Sequence, residues 1–296
     1  MKTPKSIIPN AITLTNVAMG VLGIVFVAHE QMISAVICVG VALVLDFLDG
    51  FVARILRAQS DLGMQLDSLA DMVTFGALPG YIMFEMIAVT KGLHFVDISQ
   101  WSTTDLLQCS VALLIPVGAA LRLGTFNLDL TKRDHFLGLP VPAMTIMVVA
   151  VPIVLEAHYS LNFYVKISDS FIDTIGAARR WDPSDYVVVK LMYQPLFYQI
   201  SSAILAAMMV IRIPMLSLKF KGLSWSKNKW RYGIFIWLAI CYIIFLVPYT
   251  DIFILDFGLI DFLILPIFMF GYFVLSWIYA IFGASKSDSK LHEIQS

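Results

Sequence analysis

The stretch DFLDGFVARILRAQSDLGMQLDSLAD, residues 46–71, sets four carboxylates into a chain that is otherwise mostly apolar. Asp46 and Asp49 end one long hydrophobic run, and Asp67 and Asp71 begin the next. A charged side chain inside a membrane segment costs several kcal/mol, about 2.5–3.5 on insertion scales, so four at one depth need a purpose.

The composition fixes the setting. Of the 296 residues, 59% are hydrophobic and 14% charged, and the mean hydropathy is +0.83. Soluble domains carry about 25% charged residues. Several apolar runs are long enough to cross a bilayer, which takes roughly 18 residues or more. Only helices or closed barrels satisfy the backbone there. The chain therefore reads as an all-α, polytopic membrane protein, and a large soluble domain is excluded. The net charge of -1 says little about partners, because the distribution matters more than the sum. Cys38, Cys109 and Cys241 each lie in an apolar run without metal-ligand spacing, and read as small buried hydrophobes. No small-residue cleavage pattern follows the first run, so a retained helix is expected rather than a signal peptide.

Eight spans can be drawn: about Ile12–Ala28, Met32 into the aspartate stretch, Leu66–Val89, Leu106–Phe126, Val141–Leu155, Phe197–Leu216, Tyr232–Val247 and Phe262–Phe282. The segment 158–190 reads as a long polar connection, and the basic tract Trp225–Arg231 as a loop. Residues 1–216 form the expected membrane core. Residues 217–296 add a basic loop, two further helices and a polar tail. If the N-terminus is cytoplasmic, Lys2, Lys5, Arg54, Arg57, Lys132, Arg133, the lysines and arginine of 219–231, Lys286 and Lys290 all fall on the cytoplasmic side. The positive-inside rule then places the 46–71 hairpin on that face.

Helical residues advance about 100° each. Gly50, Ala53 and Arg54 then share a face with Asp46 and Asp49, at offsets of 3, 4, 7 and 8 from Asp46. Asp67 and Asp71, four apart, share a face of the next helix. With a turn near Ala58–Gly63, folding the stretch back on itself brings Asp46 level with Asp71 and Asp49 level with Asp67. Four carboxylates in one small volume need cations. Oxygen ligands favour Mg²⁺, Mn²⁺ or Ca²⁺ over zinc. Shared ligands suit a two-metal site of the kind that clamps a phosphoryl displacement. Gly50 and Ala53 leave room for a large flat group such as a nucleotide, and Arg54 can pair with phosphate. A single aspartate at a span end is ordinarily solvated, and two can be half of an ion pair. Four, mirrored about a turn, point to a metal site handling phosphate. A cation or proton pathway is the other reading that the chemistry leaves open.

The pattern D-x-x-D-G-x-x-A-R, eight residues, then G-x-x-x-D-x-x-x-D is complete in Asp46, Asp49, Gly50, Ala53, Arg54, Gly63, Asp67 and Asp71. It resembles the signature of the CDP-alcohol phosphatidyltransferase family. That resemblance implies a six-helix core, here with about two extra helices, and a homodimer in the cytoplasmic membrane. It implies transfer of a phosphatidyl group from CDP-diacylglycerol to an alcohol, with release of CMP, in phospholipid biosynthesis. IPNAITLTN at residues 8–16, Gln65–Gly76, Phe126–Asp129 and Phe136–Ala143 are similar to the branch of the family whose acceptor is L-serine. Glycerol 3-phosphate or an inositol derivative is the alternative acceptor. A cation transporter is the alternative of another class, and it predicts acids at mid-membrane and an inverted repeat, neither of which is visible.

Carried over by position, the resemblance implies that Asp46 and Asp67 bridge two divalent cations, Mg²⁺ or Mn²⁺. Asp49 holds the first and Asp71 the second, and Asp71 is also the general base. Gly50, Ala53, Arg54 and Ser60 are expected at the CDP-diacylglycerol site, with Asn10 and Thr13 on the first span. For the acceptor, Arg122 is a candidate for the serine carboxylate or the diphosphate, or a partner of Asp129. Arg133 is a lesser candidate or an ordinary loop charge. The histidines read as ordinary residues.

Overall fold

The computed structural model describes residues 6–128, 136–158, 161, 164, 169–179, 183–215, 225–246, 268 and 271–279. Apolar runs become helices here because a membrane core offers the backbone no water to bond. α1 (Ile7–Ala28) and α2 (Met32–Ile55) form the first hairpin. Their turn is tight: the Gln31 N–H returns to the Phe26 carbonyl at 2.9 Å. Glu30 takes a left-handed conformation there, φ 61°, which a non-glycine residue rarely adopts.

The third span is composite. α3 (Asp61–Asp71) runs through a π-helical turn (Met72–Ala77) into α4 (Leu78–Thr90). This span is the centre of the molecule: Phe75, Leu78, Ile82, Met86 and Ile87 are fully buried. α1 packs against α2, α3 and the π-turn. α5 (Thr103–Ser110) continues through a 3-10 turn into α6 (Leu114–Leu128). α7 (Val141–Ile153) packs on α2, α4 and the π-turn, and α10 (Pro195–Val210) on α4 and α6. The outward faces of α1, α2, α6 and α10 carry exposed apolar side chains such as Val21, Ile37, Val44, Leu121 and Ile204. Such faces suit lipid rather than water.

Four helical stretches, Ile7–Ala28, Met32–Ile55, Asp61–Thr90 and Thr103–Leu128, are long and apolar enough to cross a membrane. Val141–Glu156 and Pro195–Val210 are shorter apolar helices. These six correspond to the first six expected spans. Most of the eighth lies outside the described residues, of which 271–279 are helical.

Two expectations about connections need correction. The 158–190 segment contains α8 (Asp169–Arg179) and α9 (Pro183–Met192), with Lys190 paired to Asp173 at 3.0 Å. Its polar residues fall within short helices, which a hydropathy reading takes for a loop. The tract from Trp225 to Arg231 is the start of α11 (Trp225–Leu246), not a loop. Its charges lie on helical turns continuous with the apolar run that follows.

A two-residue antiparallel ribbon completes the fold, with β1 (Phe136–Leu137) paired to β2 (Pro214–Met215). Gly138 follows it at φ 73°, and its N–H bonds the Ile213 carbonyl at 2.8 Å. At the end of the bundle away from the aspartates, His94 sits between two carboxylates. Its Nδ1 lies 2.9 Å from Glu85 and its Nε2 3.3 Å from Glu30. In the sequence this histidine reads as an ordinary residue, because its partners are 9 and 64 positions away.

Candidate active site

The hairpin between α2 and α3 is built by local rules. α2 stops in a Schellman arrangement: the Ala58 N–H bonds the Ala53 carbonyl at 2.9 Å and the Arg57 N–H bonds the Arg54 carbonyl at 3.2 Å. Arg57 occupies the left-handed position, φ 50°, that glycine usually fills. Ser60 then caps α3, its Oγ accepting from the Gly63 N–H at 3.1 Å. The turn is therefore residues 56–60, slightly earlier than the spacing predicted. Ser60, expected at the nucleotide, has a structural duty as well.

The fold brings the aspartates together. Carboxylate oxygens of Asp46, Asp49 and Asp67 lie within 4.8 Å of one another. The Asp46 and Asp71 carboxyl groups are neighbours across the hairpin. Asp49 is buried, and Asp46, Asp67 and Asp71 are half-buried. Asp71 Oδ1 is buried with no hydrogen-bond donor among the described residues. Like charges this close, with few donors, repel strongly in a low-dielectric setting. Three converging oxygens and an orphaned fourth carboxylate fit a divalent cation, which prefers hard oxygen ligands.

Around the cluster, Thr13 on α1 donates to Asp49 at 2.5 Å while also bonding the Pro9 carbonyl at 3.0 Å. Asn10 lies against Gly63: a Cβ there would stand 3.2 Å from the Asn10 Oδ1. Both α1 candidates therefore sit at the hairpin. A Cβ on Gly50 would meet nothing within 4 Å, so the face beside Asp46 and Asp49 is open. Arg54 is exposed, with its Nε donating to the Gly50 carbonyl at 2.9 Å. Ala53 is half-buried beside it.

The acceptor candidates fare differently. Arg122 on α6 is buried and donates to the Leu137 carbonyl. It thereby ties α6 to the turn that carries Gly138. Asp129 and Arg133 lie outside the described residues.

Several residues outside the eight signature positions brace the cluster and the turn that follows it. Ser68, next to Asp67, exchanges hydrogen bonds with Asn127 at the end of α6, at 2.9 and 3.2 Å. Thr74 in the π-turn donates to the Asn16 carbonyl at 3.2 Å. Thr145 on α7 donates to the Phe75 carbonyl at 2.9 Å, so the π-turn is held from two sides. π-turns often mark functional sites, and this one follows Asp71 directly. One signal was available: Ser68 and Asn127 belong to two of the stretches that resemble the serine-accepting branch. Their contact joins those stretches in space. Nothing in the sequence announces the π-turn.

The family model described as CDP-alcohol phosphatidyltransferase matches residues 6–181. A Bacillus subtilis (strain 168) protein named CDP-diacylglycerol–serine O-phosphatidyltransferase is 36% identical over 135 residues, covering 46% of this chain and 69% of that protein. A Mycobacterium leprae (strain TN) protein of the same name is 33% identical over 150 residues, 48% of this chain and 45% of its own length. A third of that name, from Helicobacter pylori (strain ATCC 700392 / 26695), is 30% identical over 176 residues, 58% of this chain and 69% of the relative. The family match thus includes the aspartate hairpin, and the chain belongs to the CDP-alcohol phosphatidyltransferase family.

Proposed function

We propose that this protein transfers the phosphatidyl group of CDP-diacylglycerol to the hydroxyl of L-serine, giving phosphatidylserine and CMP. The observation that carries the acceptor is the similarity to relatives named for serine transfer. The chemistry rests on the cluster of Asp46, Asp49, Asp67 and Asp71.

In this reading Asp46, Asp49, Asp67 and Asp71 would together hold two divalent cations, Mg²⁺ or Mn²⁺. Bound cations supply neutralising charge for the diphosphate and for CMP as it leaves. The chain's own groups do the rest. Asp71 accepts the proton of the serine hydroxyl as its oxygen attacks the phosphorus that bears the diacylglycerol. The bond from that phosphorus to the CMP oxygen breaks in the same displacement. The open face at Gly50 and Ala53 admits the cytidine diphosphate. Arg54 and Ser60 contact it from the turn, and Asn10 and Thr13 from α1. Arg122 or Arg133 meets the carboxylate of serine or the diphosphate.

The site faces the cytoplasm of a cell's inner membrane, as the lysine and arginine distribution favours. CDP-diacylglycerol arrives through the bilayer and serine from the cytoplasm. Residues 1–216 form the catalytic core and residues 217–296 an appended membrane segment. The protein works as a homodimer.

The test is CMP release by the purified full chain in detergent with CDP-diacylglycerol and Mn²⁺ or Mg²⁺. Release that depends on serine, with phosphatidylserine seen by lipid mass spectrometry, is the expected result. Release with glycerol 3-phosphate or an inositol derivative but not with serine sinks the acceptor assignment.

A further inference from the structure

Asn16 is on the buried stripe of α1 that includes Pro9, Thr13, Gly20 and Gly23. Its side chain is fully buried, and neither Oδ1 nor Nδ2 has a hydrogen-bond partner among the described residues. An unpartnered carboxamide in a protein interior costs free energy, so its retention calls for a role.

Helix register shows what lies beside it. α1 and α2 are antiparallel neighbours joined by a tight turn. Thr13 on α1 bonds Asp49 on α2. Asn16 comes three residues after Thr13, and Asp46 three residues before Asp49. Asn16 therefore stands level with Asp46. α1 and the α3 span run in the same direction: Asn10 lies against Gly63, and Gly20 against Thr74. The Asn16 carbonyl itself receives the Thr74 hydroxyl. By that register Asn16 stands level with Leu69 and Ala70, about one residue short of Asp71. The cluster thus has two tiers. Thr13, Asp49 and Asp67 form the one nearer the turn. Asn16, Asp46 and Asp71 form the deeper one, and there both Asn16 and Asp71 Oδ1 are buried without a partner.

We propose that Asn16 is a positioning residue for Asp71. Its carboxamide N–H donates to one trapped water, which donates in turn to Asp71 Oδ1 and fixes the carboxylate for the cation and for the acceptor proton. A neutral donor suits this place. It orients Asp71 without neutralising it, whereas a lysine or arginine here competes with the cation. Partners of this kind, which orient the groups around a metal, typically affect affinity or activity about 10–100-fold. The inference rests on reading Asp71 as base and as metal-holding residue.

The experiment uses the full chain in detergent, as wild type, Asn16→Leu and Asn16→Ser. Leucine is close in volume and removes the buried amide; serine removes the carboxamide but stays small and polar. Three quantities are measured: Mn²⁺ affinity by electron paramagnetic resonance, kcat against KM for CDP-diacylglycerol, and melting temperature. The expected result is a roughly 10–100-fold fall in kcat and weaker Mn²⁺ binding, with KM for CDP-diacylglycerol little changed. The melting temperature of Asn16→Leu stays level or rises, since a buried unpaired group is gone. Wild-type kcat and wild-type Mn²⁺ affinity in either folded variant overturn the proposal while leaving the metal site intact. If the wild type itself binds no Mn²⁺, the metal-site reading fails, and this inference with it.

Discussion

The Thr13 hydroxyl donates a 2.5 Å hydrogen bond to the Asp49 carboxylate, joining α1 to α2 at the carboxylate cluster. A hydrogen bond to a charged group is worth about 1.5–3 kcal/mol. Thr13→Val keeps the shape but leaves Asp49, already buried, without that donor. Turnover is expected to fall about 10–100-fold, as for other residues that orient a metal site. Thr13→Ser, which keeps the hydroxyl, retains most of it. Initial rates of CMP release decide the matter, and an unimpaired Thr13→Val protein removes this role.

Asp71, the proposed general base, stands at the end of α3 beside Asp46. Asp71→Asn preserves the volume and removes the proton acceptor. Loss of turnover by at least about 100-fold is expected, the scale of general base catalysis. Binding of CDP-diacylglycerol, followed by calorimetry or a fluorescent analogue, remains measurable. An active Asp71→Asn enzyme rules out the assignment.

Two glycines near the site separate folding from binding. A Cβ on Gly20 would come within 2.6 Å of Thr74 Oγ1 and 2.9 Å of its Cα. Gly20→Ala therefore pushes α1 off the π-turn, at a cost of about 1–3 kcal/mol typical of overpacking. A lower melting temperature in detergent is the readout. A Cβ on Gly50 meets nothing within 4 Å. Gly50→Leu is expected to melt like the wild type but to raise KM for CDP-diacylglycerol. A Gly50→Leu protein with normal kinetics contradicts the placement of substrate on that face.

At the opposite end of the bundle, His94 and Glu85 form a contact in which each side chain is only 13% exposed. Removing one partner leaves the other largely buried. His94→Leu and Glu85→Leu should each destabilise the protein, and the double variant should lose less than their sum. A coupling of about 0.5–3 kcal/mol is the range for contacting pairs. Additive losses in thermal unfolding show that the pair does not interact.

Much of the site was legible because its information is local. The eight signature positions lie within one hairpin, and the period of the helix alone aligns Asp46 with Asp49 and Asp67 with Asp71. Composition alone fixed the all-α membrane class, since long apolar runs have few other solutions. Hydropathy misread Trp225–Arg231 and the 158–190 segment for one reason: it measures greasiness, and polar residues on short helices look like loops.

The tertiary structure decided what depends on contacts between distant positions. Ser68 meets Asn127 and Thr145 meets Phe75 only once the spans pack. His94 finds Glu30 and Glu85 because the outer turns converge. Arg122, open to several roles in the sequence, is held by the Leu137 carbonyl. The π-turn after Asp71 has no residue code, because the contacts that hold it reach α1 and α7, far away in the sequence. Asn16 is the sharpest case. In the sequence it is one polar residue of a short N-terminal stretch. Burial beside the deeper aspartates, without a partner, is what gives it meaning. Periodicity and charge set where the carboxylates meet, and packing set what surrounds them.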